Sequence, residues 1–154
     1  MNEIRLVKRS DLPDLKQVLD TIELFPSAML DDMIADFLNN PETEEIWFTE
    51  TDDGRPISIG YCAPEKLTDG TYNLYAIGVR SDIQSKGTGS RMMTFIETHL
   101  KENKKRILIV DTSGKAVFEP VRRFYEKLGY TKEAVIRDFW EEGDDKVTYW
   151  KRLN

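Results

Sequence analysis

Hydrophobic positions recur along this chain with two periods, one typical of strands and the other typical of helices. Alternation of apolar and polar residues, or a short apolar run, predicts a half-buried or buried strand. Segments of this kind are residues 3–9, 46–49, 57–62, 72–79, 106–111, 132–139 and 146–151. Apolar residues spaced three or four apart predict an amphipathic helix instead. Such segments are residues 12–19, 30–38, about 87–101 and about 120–128.

Turn and capping residues separate these segments. Ser10 and Ser27 are predicted N-caps of the first two helices, because a serine hydroxyl can accept a bond from a first-turn N–H group. The run Asp52-Asp53-Gly54 predicts a hairpin turn, and Asp69-Gly70 predicts the turn into the fourth strand. The resulting order is βααβββαβαββ, an α/β (α+β mixed) fold, and the length predicts one domain over residues 1–154.

Composition excludes several classes of protein. Hydrophobic residues make up 40% of the chain and charged residues 32%, proportions typical of soluble globular proteins. No apolar run is long enough to cross a membrane, and the first residues lack the apolar core of a signal peptide. The single cysteine, Cys62, can form neither an internal disulfide nor a multi-cysteine metal site. A net charge of -6 disfavours nucleic acid as a partner. We therefore expect a cytoplasmic protein without a bound metal.

The most specific segment follows the fourth predicted strand and reads Gln84-Ser85-Lys86-Gly87-Thr88-Gly89-Ser90. It leads into a predicted helix, whose free N–H groups and dipole favour an anion at this end. Gly87 and Gly89 allow the backbone to approach a ligand closely, and Lys86 and Arg91 add positive charge. The glycine spacing fits neither a P-loop nor a dinucleotide-binding fingerprint. We therefore expect a different ligand that carries phosphates.

This run resembles the Gln/Arg-x-x-Gly-x-Gly/Ala signature of the GNAT superfamily of N-acetyltransferases. A second segment, Phe124-Tyr125-Glu126-Lys127-Leu128-Gly129-Tyr130, resembles the family's Phe-Tyr-x-x-x-Gly-Phe/Tyr signature. The two signatures occur in the order that the family requires, and the resemblance covers nearly the whole chain. It implies the GNAT fold, a central mixed and mostly antiparallel sheet with helices on both faces, and acetyl-CoA as cosubstrate.

The resemblance also implies which residues hold acetyl-CoA. In the family, the loop amides bind the pyrophosphate, and the pantetheine arm passes between two central strands that splay apart. A backbone N–H group of Ile77 or Val79 is expected to face the thioester oxygen, and Gly78 predicts a bulge or a close approach of the ligand. The residues expected to bind the cosubstrate are Ile77, Gly78, Val79, Gln84, Ser85, Lys86, Gly87, Thr88, Gly89 and Ser90.

Tyr125 matches the family's tyrosine, which lies near the departing sulfur, and is the candidate general acid. A phenol with a pKa of about 10 can donate to a thiolate whose conjugate acid has a pKa of about 8.5 over a modest uphill step. The alternative is a buried tyrosine whose hydroxyl bonds a backbone group.

The general base is open among several residues. Some family members carry a glutamate on the strand before the loop, where this chain has Asn73, which cannot take a proton. Others use a glutamate at the end of the next strand, and Asp111 stands close to that position. Asp111 is therefore the candidate base. A strand-end or turn-forming role for Asp111 is one alternative, and a water chain to Glu119 is another.

The resemblance implies direct transfer of acetyl, within a ternary complex, to a primary amine of a small molecule or a peptide. Because position 73 carries no carboxylate, a non-catalytic acyl-CoA-binding sensor or regulatory module on the same fold is the alternative. The sequence leaves the acceptor open, and it leaves open whether the protein is a monomer or a homodimer. Candidate walls of the acceptor pocket are Phe25, Met29, Tyr61, Tyr75 and Trp140.

Overall fold

The computed structural model describes all residues from 1 to 154, and its strands form one sheet. The strands are β1 Asn2–Leu6, β2 Ile46–Asp52, β3 Arg55–Pro56, β4 Ser58–Pro64, β5 Thr71–Val79, β6 Ile107–Ser113, β7 Thr131–Glu141 and β8 Asp144–Arg152. The α-helices are α1 Leu12–Asp20, α2 Leu30–Asn39, α3 Thr88–Glu102 and α4 Glu119–Lys127. The strand order across the sheet is β1-β2-β4-β5-β6-β8-β7, and β3 pairs with β2 outside this path. Only β5 and β6 are parallel neighbours.

The mixed α/β fold predicted from the sequence is confirmed, with one addition to the predicted order of elements. The additional strand, β3, is two residues long and pairs with the end of β2. The turn between them has φ values of 49° at Asp53 and 82° at Gly54, which suit a type I′ turn. The hairpin therefore reverses within the predicted Asp-Asp-Gly run. None of the helices is long and apolar enough to cross a membrane.

Helices cover both faces of the sheet, because consecutive residues of a strand point to opposite sides. On β2, Trp47 packs with α1 and α2, whereas Phe48 belongs to the core under α3 and α4. The first core consists of Val7, Leu15, Leu19, Leu30, Ile34, Trp47 and Ile59. The second is larger and includes Met92, Met93, Ile96, Leu100, Leu108, Tyr125, Val147 and Tyr149.

The first two helices do not begin with the predicted serine caps. Ser10 and Ser27 lie in short 3-10 turns that precede the helices, and no side chain caps α1 or α2. The carboxylate of Asp11 instead accepts the Lys8 N–H at 2.7 Å and pairs with both terminal nitrogens of Arg5. An ionised acceptor makes a stronger hydrogen bond than a hydroxyl, so Asp11 organises this turn rather than Ser10.

β5 and β6 separate halfway along their length, which opens the centre of the sheet. Their parallel pairing covers residues 71–74 of β5 and residues 107–110 of β6 and then stops. Beyond this point, β5 stays paired with β4, and β6 stays paired with β8. Tyr75 is the extra residue of a β-bulge where the register of β5 against β4 shifts, and a bulge bends its strand. The two strands thus leave a cleft between residues 75–79 and 111–113.

Candidate active site

The loop between β5 and α3 presents a row of backbone N–H groups that have no protein acceptor. The N–H groups of residues 84–90 donate to no backbone carbonyl and to no side chain. Ser85 and Gly87 have φ values of 64° and 87°, and left-handed residues in such a loop gather N–H groups into a concave anion-binding surface. α3 begins at Thr88, so the last three groups also receive the positive end of the helix dipole.

The guanidinium of Arg91, which was expected to add positive charge near the ligand, is bound by groups of the protein itself, although 48% of the side chain is exposed. Its guanidinium pairs with the buried carboxylate of Glu50, with 2.9 Å between Nη2 and Oε1. It also donates to the Lys86 carbonyl at 3.2 Å and to the Thr88 hydroxyl at 3.1 Å. Lys86 itself is exposed and remains the cation of the loop.

The backbone of β5 offers further hydrogen-bonding groups to the cleft. The Arg80 N–H donates to a carbonyl just before β4, and bonded pairs recur at every second residue of an antiparallel ladder. The groups of Gly78 therefore bond β4, whereas those of Ile77 and Val79 point toward the cleft. The Val79 carbonyl accepts a 3.0 Å bond from the Gln84 side chain. The N–H of Val79 and both groups of Ile77 remain for a ligand.

Gly78 has a packing role that its sequence context does not predict. A Cβ at this position would lie 2.5 Å from Cδ1 of Ile22 and 3.2 Å from Cδ2 of Leu24, in the segment after α1. The bulge of β5 lies at Tyr75 and not at Gly78. The close contact that requires glycine is therefore made by the segment after α1, residues 22–24. This segment also lines part of the cleft.

A cavity of about 510 Å³ joins the loop, β5 and α4. Nine of the ten residues expected to bind the cosubstrate line it, and Lys86 is the exception. α4 and its first turn contribute apolar surface opposite the N–H groups, from Pro120, Val121, Phe124 and Tyr125. A second cavity continues from here into the cleft between β5 and β6. This shape suits an elongated ligand that carries phosphates at one end.

Tyr125 lies where the two cavities meet. Only 3% of its surface is exposed, and burial raises the pKa of its hydroxyl, so the phenol stays protonated. The hydroxyl makes no hydrogen bond with a protein group. Since no fully buried polar side-chain atom lacks a partner, this hydroxyl reaches the cavity. The structure thus gives no backbone partner for the alternative role of Tyr125.

Asp111 lies inside β6 rather than at a strand end, because pairing with β8 continues to Ser113. Its Oδ1 accepts a 2.6 Å bond from the Thr148 hydroxyl, and its Oδ2 accepts a 3.2 Å bond from Nδ2 of Asn73. The ammonium of Lys146 lies 3.9 Å from Oδ2. Asp111 is half-buried and lines the cleft. Because β6 continues for two residues beyond it, to Ser113, the expectation that Asp111 ends the strand is wrong.

The other candidate base, Glu119, lies elsewhere. It opens α4, forms an ion pair with Arg123, and lines a third cavity that adjoins the first at Ser90, Pro120 and Phe124. Asp111 is not among the residues that line this cavity. Any proton path from the cleft to Glu119 would have to leave the cleft.

Glu65 is a carboxylate of the cleft that sequence reasoning missed. The same Nδ2 of Asn73 that bonds Asp111 also donates to Glu65 at 2.8 Å, and the Tyr75 hydroxyl donates to Glu65 at 3.0 Å. Glu65 directly follows β4 and belongs to no motif. Only the pairing of β4 with β5 brings it beside Asn73, so no local signal could have identified it.

An irregularity in β7 builds the outer wall of the cleft. The register against β8 shifts between Ile136 and Glu141, and Asp138 has a φ of 53°. Phe139 and Trp140, which lie in this stretch, line a cavity together with Asp111 and Tyr75. Tyr75 and Trp140 were expected there, and Phe139 was not. Three expected wall residues line neither this cavity nor the two deeper ones: Phe25, Met29 and Tyr61.

Comparison with solved structures places this architecture among acetyltransferases. A protein from Desulfovibrio desulfuricans described as an acetyltransferase of the GNAT family matches with a TM-score of 0.92 and 25% identity over 100% of both chains. The ribosomal-protein-S18-alanine N-acetyltransferase from Escherichia coli matches with a TM-score of 0.80 and 18% identity, over 100% of this chain and 95% of the other. An aminoglycoside 6′-N-acetyltransferase complexed with coenzyme A matches with a TM-score of 0.78 and 16% identity, over 99% of this chain and 97% of the other.

Sequence comparison agrees with the structural one. No curated protein sequence matches the chain significantly. The sequence pattern of the acetyltransferase (GNAT) domain, however, matches residues 42–132. This range is more than half of the chain and includes the loop, the cleft and α4. The chain therefore belongs to the GNAT family of acetyltransferases.

Proposed function

We propose that this protein transfers acetyl from acetyl-CoA to a primary amine of a small molecule or a peptide, directly within a ternary complex. One observation carries the proposal: residues 84, 85 and 87–90, whose N–H groups are unpaired, line the same cavity as Tyr125. Such N–H groups suit a pyrophosphate, and the continuation into the cleft suits the arm attached to it. The complex of an aminoglycoside 6′-N-acetyltransferase with coenzyme A, on the same fold, supports this assignment.

The thioester, the pantetheine arm and the pyrophosphate of acetyl-CoA each have a proposed partner in the protein. The backbone groups of Ile77 and Val79 are proposed to bond the pantetheine amides, and Gly78 to leave room beside them. One N–H group, of Ile77 or Val79, would donate to the thioester oxygen. Acetyl-CoA supplies the activated acyl group, and the protein supplies position and charge. The pyrophosphate is proposed to lie on Gln84, Ser85, Lys86, Gly87, Thr88, Gly89 and Ser90.

Asp111 and Tyr125 are proposed to handle the two protons of the reaction. A C–N bond forms as the C–S bond breaks, so the amine loses a proton and the departing sulfur gains one. Asp111, held by Thr148 and Asn73, is proposed to accept the amine proton, directly or through water. Tyr125 is proposed to donate to the sulfur. Because burial raises its pKa, a strong hydrogen bond rather than complete proton transfer supplies most of the stabilisation.

The acceptor is proposed to enter the cleft from the side of Tyr75 and Trp140. The carboxylates of Glu65 and Asp111 attract a cationic amine, and the aromatic rings can contact its carbon skeleton. Relatives with this fold act on an aminoglycoside and on the alanine of ribosomal protein S18. Both small-molecule and peptide amines therefore belong in a substrate screen.

Thermal unfolding and a thiol-release assay test the proposal together. A ligand that binds only the native state raises the melting temperature, so acetyl-CoA should raise it and ATP and NAD should not. Thiol release should then appear with at least one member of a panel of small-molecule and peptide amines. Absence of a shift with acetyl-CoA would overturn the proposal. Binding without thiol release over the whole panel would instead support the non-catalytic sensor.

We further propose that residues 1–154 act as one domain in the cytoplasm, without nucleic acid or a membrane as partner. The net charge of -6 supports the exclusion of nucleic acid. Cys62 is buried, and burial raises the pKa of its thiol, so a covalent acyl-cysteine route has no support. Sedimentation at several concentrations would distinguish a monomer from a homodimer.

A further inference from the structure

Glu50 is a buried carboxylate of β2 that the proposed chemistry does not use. None of its surface is exposed. Its oxygens accept bonds from Nη2 of Arg91 at 2.9 Å, from Nε of Arg91 at 3.2 Å, and from Nδ2 of Asn2 at 2.8 Å. A buried charge without a partner is strongly unfavourable. Glu50 therefore restricts where the guanidinium of Arg91 can lie.

Arg91 transmits this restriction to the loop. It lies in the first turn of α3, where a positive charge opposes the helix dipole, so helix stability does not explain its presence. Its Nη1 donates to the Lys86 carbonyl, and its Nη2 donates to the Thr88 hydroxyl. A Cβ on Gly87 would lie 2.9 Å from Nη1. The guanidinium is thus packed directly against Gly87, one of the two left-handed residues of the loop.

We propose that Glu50 is a positioning residue for the cosubstrate loop. Through Arg91, it holds the loop in the conformation that exposes the N–H groups of residues 84–90. The inference rests on the proposed function, in which these groups bind the pyrophosphate of acetyl-CoA. A loop that is ordered before the ligand arrives loses less entropy on binding. Arginine is required because its planar fork contacts a carboxylate, a carbonyl and a hydroxyl at the same time.

Two variants test the contact from its two ends. Glu50→Gln keeps the shape of the side chain and removes its charge, and Arg91→Lys keeps the charge but removes the fork. Each is expected to raise the Kd of CoA about ten-fold, the equivalent of one strong hydrogen bond. Each should also lower the backbone order parameters of residues 84–90 in the protein without ligand. Because the Arg91 side chain is 48% exposed, Arg91→Lys is expected to fold even if Glu50→Gln does not.

Asn2→Ala is the matched control. It removes another hydrogen bond to the same carboxylate without touching Arg91 or the loop. We expect a lower melting temperature in this variant, with the CoA affinity and the loop order parameters of the wild type. The double variant Glu50→Gln/Arg91→Lys should bind CoA no more weakly than the weaker single variant, because the two residues act through one contact.

Three outcomes separate this inference from the proposed function. Wild-type order parameters and wild-type CoA affinity in both Glu50→Gln and Arg91→Lys would overturn the positioning role. An equal loss of loop order in Asn2→Ala would also overturn it, because loop order would then depend only on the overall stability of the protein. Failure of the wild-type protein to bind CoA would overturn the proposed function, whereas the order parameters would still decide the role of Glu50.

Discussion

Thr148 on β8 lies directly opposite Asp111 on β6 and donates a 2.6 Å hydrogen bond to its carboxylate. The second carboxylate oxygen accepts a bond from Asn73 of β5, on the other side of the cleft. Asp111 is therefore held by side chains of β8 and of β5, next to the point where the pairing of β5 with β6 ends. In the proposed function, a carboxylate fixed at this position would meet the amine that attacks the thioester.

Asp111→Asn should lower kcat/KM at neutral pH, on the order of 10²-fold or more if Asp111 is the general base. The substitution keeps the shape and removes the proton acceptor. Raising the pH should partly restore activity, because free amine with a pKa of about 10 becomes more abundant. Full pH–rate profiles of the wild type and the variant provide the measurement.

Glu119→Gln is the control for this experiment, since Glu119 lies outside the cleft. It should leave the pH–rate profile unchanged. If Asp111→Asn raises only the KM of the acceptor at constant kcat, Asp111 binds the cation and is not the base. A larger effect of Glu119→Gln than of Asp111→Asn would favour a water-mediated path to Glu119.

Tyr125→Phe should lower kcat about 10-fold to 10³-fold while the affinity for acetyl-CoA stays near that of the wild type. The hydroxyl bonds no protein group, so its loss should change the stability by less than about 0.5 kcal/mol. Tyr149→Phe is the matched control, because the Tyr149 hydroxyl donates to Glu126 at 2.9 Å. That variant should lose about 1 kcal/mol of stability and keep its activity. Wild-type kcat in Tyr125→Phe would return Tyr125 to a packing role.

Gly87→Ala should weaken CoA binding at least about ten-fold. The residue has a φ of 87°, and the added Cβ would lie 2.9 Å from Nη1 of Arg91, so the guanidinium and the loop must shift. Gly143→Ala carries the same backbone cost, since its φ is 84°, but no atom lies within 4 Å of the added Cβ. Both variants should lose about 1 kcal/mol of stability. Equal CoA affinity of the two would contradict a specific role of the loop conformation.

Gly78→Ala should destabilise the protein by about 1–3 kcal/mol through overpacking. The new Cβ would lie 2.5 Å from Cδ1 of Ile22. Ile22→Val removes that carbon, so the double variant should be more stable than the sum of the two single changes implies. Urea denaturation of the four proteins measures this coupling. If the stability changes of the two single variants simply add in the double variant, the contact with Ile22 is not the reason why position 78 requires glycine.

Asp11 should make the stability dependent on pH in the acid range. Burial alone would raise the pKa of Asp11, but the hydrogen bonds from Arg5 and the Lys8 N–H, with their charge, lower it overall. Its contribution is therefore complete above about pH 4, near the unfolded pKa, and is lost as the pH falls through the lower folded value. Asp11→Asn should be less stable at pH 7 and lose less stability below pH 4. The free energy of unfolding of both proteins is measured by urea denaturation at several pH values. The same pH dependence in the wild type and the variant would contradict this role.

The order of the long strands and helices could be predicted from the sequence, because periodicity is a local property of the chain. Both family signatures are equally local. Gly87 takes a left-handed conformation that few other residues adopt, and its loop leads directly into α3. The predicted ends of helices and strands were less accurate. Near Ser10, the carboxylate of Asp11 organises the turn, and at Asp111 the pairing of β6 with β8 continues further than predicted.

Tertiary structure alone decided how the site is assembled. Glu50 lies 41 positions before Arg91, and Asn73 lies 38 before Asp111, so no local pattern joins either pair. The separation of β5 from β6 depends on which neighbour each strand keeps, and strand register is set by long-range packing. The sequence therefore predicts a phosphate-binding loop between β5 and α3. Contacts between distant strands determine which carboxylates line the cleft and which side chains contact the loop.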